Sequence, residues 1–131
     1  MSIEENKALA RRFMDALSRN DKQFVMNVYA DDVALWTAGS LPFSGTHTKD
    51  EVAVLMDQIL GAFPDGIEFK VKDLTAEGER VAIEAECHAK HMSGKDYNNH
   101  YHFLMVIRDG KIIEYKEYMD TQLANDVLLG G

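Results

Sequence analysis

The feature that most restricts this chain is a change of hydrophobic period near its midpoint. Up to Phe63 apolar residues recur every three or four positions, and from Ile67 they alternate with polar ones. Ile67, Phe69 and Val71 interleave with Glu68, Lys70 and Lys72, as in a strand with one wet face. Three further strand segments follow at about 81–91, 97–107 and 111–119. Helices first and a long antiparallel meander second predict an α+β fold with the helices on one face of the sheet. No repeat, linker or low-complexity stretch interrupts the pattern, so residues 1–131 are expected to form one domain.

Capping signals place the helices. Ser2 with Glu5 has capping-box spacing ahead of Leu9, Phe13, Ala16 and Leu17, predicting a helix to about Ser18. Asp21 can cap a second helix, Lys22 to Tyr29, that ends at Ala30, Asp31 and Asp32. Val33 to Thr37 reads as a short strand, followed by a loop broken by Gly39, Pro42 and Gly45. Thr48 and Glu51 repeat the capping box before Val52, Leu55, Ile59 and Phe63, the buried stripe of a third helix stopped by Pro64, Asp65 and Gly66. Asp120 is placed to cap a closing segment, Thr121 to Leu129.

Composition removes several classes of function. A net charge of −8 and a pI near 5.0 repel phosphate backbones and anionic lipid, so neither nucleic acid nor membrane is an expected partner. The N-terminus mixes acids and bases without an apolar run, unlike a signal peptide or anchor, and the single cysteine, Cys87, cannot form an internal disulfide. The cytoplasm is the expected compartment.

Hairpin register decides which residues share a face, because a slip of one residue sends every side chain to the other side. Taking Ser93 and Gly94 as a two-residue loop sets Glu86 opposite Tyr101, Glu84 opposite Phe103 and His88 opposite Asn99. Taking Arg108, Asp109 and Gly110 as a three-residue loop sets Glu117 opposite Tyr101 and Tyr115 opposite Phe103. One face then bears Glu86, Tyr101 and Glu117, flanked by Phe103, Met105, Tyr115 and Met119, and is assigned to a pocket. The other carries Ile83, Ala85, Cys87, His100, His102, Leu104 and Val106, apolar enough to be covered by a second subunit. Simple patterning gives the reverse for the first of these strands, with Val81, Ile83, Ala85 and Cys87 inward and Glu84 and Glu86 in water.

The stretch YADDVALWTAGSLPFSGTHTKDEV, with IRDGKIIEYKEYMD later, resembles the SnoaL-like polyketide cyclase group of the nuclear-transport-factor and ketosteroid-isomerase superfamily. The resemblance spans nearly the whole chain and implies a cone-shaped pocket between a curved antiparallel sheet and three N-terminal helices, often in homodimers. It does not fix a reaction, since the superfamily includes isomerases, cyclases, hydrolases and non-catalytic binders. In SnoaL-like cyclases and limonene epoxide hydrolases the stretch similar to GKIIEYKE ends on an essential aspartate, which implies a catalytic role for Glu117. Carried upstream, the hydrolase's second aspartate falls on Glu86 and its arginine on Glu84, while its tyrosine and asparagine fall on Leu35 and Thr37. The base of ketosteroid isomerase also falls on Thr37, its helix-one tyrosine on Phe13, and its oxyanion-hole acid near Phe103, so that mechanism does not transfer.

Two functions follow as expectations. The first is a cofactor-independent acid/base enzyme of isomerase, cyclase or hydrolase type acting on a small hydrophobic molecule, with Glu117 and Glu86 as a carboxyl pair and Tyr101 as hydrogen-bond donor. Two acids close together in an apolar site raise the pKa of at least one. The second is a non-catalytic binding or dimerisation domain, in which Phe13, Leu35, Trp36, Thr37, Leu55, Ile59, Phe63, Glu84, His88, Asn99, Phe103, Met105, Tyr115 and Met119 line the pocket without chemistry. In the blander alternative, Glu117 is a solvated strand residue paired with Lys116 or Lys90. His88 with His91, and His100 with His102, lack a His-Glu-x-x-His pattern or a thiolate pair, so neither metal nor cofactor is expected.

Overall fold

The helices begin where their capping residues stand. In the computed structural model, which describes residues 2–130, α1 spans Ile3–Ser18, α2 Lys22–Val28, α3 Lys49–Gly61 and α4 Thr121–Leu128. Ser2 Oγ accepts the Glu5 amide at 3.1 Å while Glu5 Oε1 accepts the Ser2 amide at 3.0 Å. Thr48 and Glu51 close the same reciprocal box on α3, and the side chains of Asp21 and Asp120 cap α2 and α4. Leu9, Phe13 and Ala16 of α1 are buried, as their spacing predicts. By contrast, α3 has no fully buried residue, because its apolar side faces a cavity rather than packed sheet. It ends at Gly61, which leaves Phe63 beyond it as a buried loop residue.

One curved six-stranded sheet holds β1 (Tyr29–Thr37), β2 (Gly45–His47), β3 (Ile67–Glu77), β4 (Arg80–Ala89), β5 (His100–Arg108) and β6 (Lys111–Met119) in the order β2-β1-β6-β5-β4-β3. Neighbours are antiparallel except β1 and β6, which run parallel. That parallel pair joins the first half of the chain to the meander of the second and sets Leu35 beside Tyr115 and Thr37 beside Glu117. The strand β1 also starts earlier than the residue pattern suggests. Tyr29 is buried against Phe13 and Tyr115, so Ala30, Asp31 and Asp32 are strand residues rather than a helix end.

The β4–β5 connection differs from the predicted two-residue loop. His91 pairs with Lys95 across a three-residue loop, Met92, Ser93 and Gly94, in which the Gly94 amide donates to the His91 carbonyl at 2.8 Å. Gly94 lies at φ +90°, a conformation that closes such a loop and that costs glycine least. The extra residue shifts every pair downstream by one, so Glu86 faces His100, Ala85 faces Tyr101 and Glu84 faces His102. Val81, Ile83, Ala85 and Cys87 consequently fill the core with Tyr101 and Phe103, while Glu84, His88, His100 and His102 are exposed on the outer face. Glu86 shares that outer face, ringed by Lys72 and two histidines.

The β5–β6 turn differs too, with the opposite consequence. Asp109 and Gly110 form a two-residue loop with positive φ at both positions, the type I′ geometry that Asp-Gly favours. A bulge between Val106 and Ile107 then adds a second shift, so Phe103 opposes Glu117 and Tyr101 opposes Met119. Two one-residue shifts preserve parity, and Glu117 stays on the inner face with Tyr101, Phe103, Met105 and Tyr115.

Candidate functional site

Between α3 and the inner face of the sheet lies a partly open cavity of about 170 Å³. Its walls are almost wholly apolar and aromatic: Leu55, Met56 and Ile59 from α3, Leu35 from β1, Phe63 and Phe69 from the loop after α3 and from β3, and Leu128 from α4. An apolar void of about 150 Å³ takes a benzene-sized guest. Among the described residues Glu117 is the only carboxylate lining this space, and no Lys or Arg lines it.

Withdrawal from water pushes the Glu117 carboxyl up to about 7, since a charge among hydrocarbon loses hydration that nothing nearby restores. The two lysines considered as its partners do not neutralise it. Lys116 pairs with Glu114 at 3.4 Å and Lys90 with Asp96 at 2.9 Å. Four tyrosines surround the acid, and burial raises all four phenols above their ordinary range, Tyr97 up to about 12 and Tyr29, Tyr101 and Tyr115 likewise upward. A phenol titrates near 10 even in water, so all four are neutral at physiological pH and act as hydrogen-bond donors or acceptors, not bases.

Tyr101 and Tyr97 meet hydroxyl to hydroxyl at 2.7 Å inside the protein. Asn99 fixes this contact. Its Oδ1 accepts the amides of His100 (2.7 Å) and Asp120 (3.1 Å), which leaves Nδ2 to donate to the Tyr97 hydroxyl (3.1 Å) and the Asp120 carbonyl (3.0 Å). All four hydrogen-bonding positions of the Asn99 side chain are used, so its amide orientation is determined.

Of the residues named from the sequence, Glu117, Tyr101, Leu35, Trp36, Thr37, Leu55, Ile59, Phe63, Tyr115 and Met119 border the cavity. Trp36 does so while its ring packs on Tyr118 with centroids 5.2 Å apart. Phe13, Phe103 and Met105 sit behind the wall as closed core, Phe13 stacking its edge on Tyr29 and Tyr115. Asn99 is buried as a bracket for Tyr97 rather than as lining.

Glu86, Glu84 and His88 are absent from the site, because the three-residue β4–β5 loop turns their parity outward. Glu86 Oε1 accepts from Lys72 at 3.1 Å, and that bond holds its carboxyl below the ordinary range. Ile83, Ala85 and Cys87, expected on an outer face covered by a second subunit, are instead buried within the chain's own core. Among the described residues no three His, Cys, Asp or Glu side chains are grouped to hold a metal, and no helix is long and apolar enough to cross a membrane.

Sequence reasoning missed Tyr97, Tyr29, His47 and Phe69 as cavity residues. Phe69 was recoverable, since it shares parity with Ile67 and Val71. Tyr97 shares parity with Asn99 and Tyr101 in the predicted 97–107 segment and was recoverable in the same way, although β5 itself begins only at His100.

A six-stranded curved sheet closed by α3 over a cavity defines an NTF2-like α+β protein. The sequence profile of the SnoaL-like domain matches residues 10–115, and the chain belongs to that family. None of the curated proteins matches the sequence at a significant level. Among solved structures, an NTF2-like protein from Burkholderia xenovorans is 26% identical with a TM-score of 0.76, the match covering 97% of this chain and 98% of that one. AclR from Streptomyces galilaeus, described as a proposed hydroxylase, is 23% identical with a TM-score of 0.84 over 99% of this chain and 84% of its own. An epoxide hydrolase of M. tuberculosis, LEH-like, is 21% identical with a TM-score of 0.76 over 98% and 92%.

Proposed function

We propose that the protein is a cofactor-independent acid/base enzyme that removes a proton from a small, largely apolar substrate, with Glu117 as the base. The observation that carries this reading is a lone carboxyl, raised to about 7, in a cavity lined mainly by apolar and aromatic side chains. A base whose pKa lies near the working pH combines a useful ionised fraction with proton affinity. A role for Glu117 as structural filler is disfavoured by its cost, since an apolar residue in its place would pack without desolvation. Two of the similar structures described above bear the names of enzymes, a hydroxylase and an epoxide hydrolase.

One observation favours a second reading. With Glu86 on the outer face, Glu117 has no carboxyl partner for two-acid hydrolysis, as would be expected of a cavity that only binds an apolar guest.

Ring opening of a nitrobenzisoxazole separates the two. A base takes the proton on the ring carbon, the C–H electron pair completes a nitrile, the N–O bond breaks, and the charge leaves as a coloured phenolate. The enzyme reading expects acceleration by the wild type and its loss in Glu117→Gln with binding of the compound retained. Equal rates for wild type and variant overturn it in favour of binding alone.

A further inference from the structure

We propose that Asn99, Tyr97 and Tyr101 form a directed hydrogen-bond chain whose last proton, on Tyr101, is presented to the cavity as the donor for an oxygen that becomes negative in the reaction. This rests on Glu117 as the base and narrows the substrate class to carbon acids whose charge moves onto oxygen, such as ketones or ring-opening ethers.

Donor accounting fixes the first link of the chain, and cooperativity favours the direction of the second. Asn99 Oδ1 is occupied by two backbone amides, so Nδ2 must be the group that donates to the Tyr97 hydroxyl. One lone pair of Tyr97 is thereby filled. Its own proton then runs to Tyr101, 2.7 Å away, in a head-to-tail order in which each accepted bond strengthens the next donation. The opposite order fills both lone pairs of Tyr97 and forgoes that gain. With its oxygen served by Tyr97, Tyr101 has a proton left over, and both residues border the cavity.

The placement relative to the base fits the same chemistry. Tyr101 opposes Met119 and Glu117 opposes Phe103, so Tyr101 and Glu117 are diagonal neighbours on one face. Diagonal positions stand roughly 7–8 Å apart in an antiparallel pair, room for a substrate to span from C–H to oxygen. Rigidity comes from below: Tyr101 stacks on Phe103 with centroids 5.2 Å apart and planes 10° from parallel, and Phe69 meets its edge. A donor fixed before the reaction needs no reorganisation when charge develops.

Binding of para-nitrophenolate to the Glu117→Gln variant tests the donor without requiring catalysis, with the neutral para-nitrotoluene as control. Adding Tyr101→Phe is expected to weaken the phenolate roughly tenfold to a hundredfold, the usual effect of losing a hydrogen bond to a charged group, and to leave nitrotoluene unchanged. Tyr97→Phe is expected to weaken the phenolate by a smaller factor. Equal losses for both probes, or no loss for the phenolate, overturn the proposal. If phenolate binding depends on Tyr101 while the wild type opens no benzisoxazole, the donor stands and the base fails. If ring opening depends on Glu117 but Tyr101→Phe changes neither rate nor phenolate affinity, the base stands and the donor fails.

Discussion

Glu117 stands directly opposite Phe103 across the β5–β6 ladder, so the one acid of the cavity emerges from an aromatic wall. Phe103 stacks on Tyr101 at 5.2 Å and on Tyr115 at 5.5 Å, closing the sheet beneath the carboxylate to water. Burial of that charge therefore has consequences for stability as well as chemistry.

Glu117→Gln is expected to stabilise the protein in a pH-dependent way. The Glu117 carboxyl titrates near 7 in the folded chain against about 4.5 unfolded. Below the unfolded value both states are protonated and the group contributes no difference. As pH rises from there through 7 the unfolded state ionises first, and folding loses up to roughly 3 kcal/mol. Urea unfolding of wild type and variant should give a gap that opens across this window and stays constant above it. A gap independent of pH would contradict the assignment.

Ring opening of nitrobenzisoxazole should follow the same group. Its kcat/KM is expected to rise tenfold per pH unit below 7 and to level off above it. A profile flat through neutrality would place the base elsewhere.

Glu86→Gln should leave that rate unchanged and alter stability little, because its partners Lys72, His88 and His100 lie on the outer face in contact with water. Parallel rate measurements on the Glu86 and Glu117 variants make the contrast direct.

Two glycines should respond unequally to alanine. At Gly94, φ is +90° and an added Cβ meets nothing within 4 Å, so only backbone strain of about 1–2 kcal/mol is expected. At Gly39, φ is +94° and the Cβ would lie 2.7 Å from Thr121 Cγ2, the first residue of α4. Gly39→Ala should cost more than Gly94→Ala in urea denaturation, and equal costs would show that α4 gives way freely.

What the sequence by itself determined was local: the capping pairs Ser2–Glu5 and Thr48–Glu51, the switch from helical to strand period, the position of Asp120 ahead of α4, and a turn containing Asp109 and Gly110 between β5 and β6, though not its length. These are interactions between residues three or four apart, or turn preferences of single dipeptides, so they can be read without knowing the fold. The family resemblance, carried by residues on both sides of the midpoint, added the curved sheet around a pocket. Only the tertiary structure decided the rest. One residue more in the Met92–Gly94 loop put Glu84 and Glu86 outside, and the paired shifts at Asp109–Gly110 and Val106 kept Glu117 inside. The alternation Val81, Ile83, Ala85, Cys87 had pointed to that outcome. It is stronger than turn counting because burial of a whole apolar face outweighs the small differences between loop geometries. The parallel pairing of β1 with β6 and the bracket of Asn99 on Tyr97 join distant parts of the chain or irregular backbone. No periodicity encodes them, and they are fixed only when buried polar groups find their partners in the closed fold.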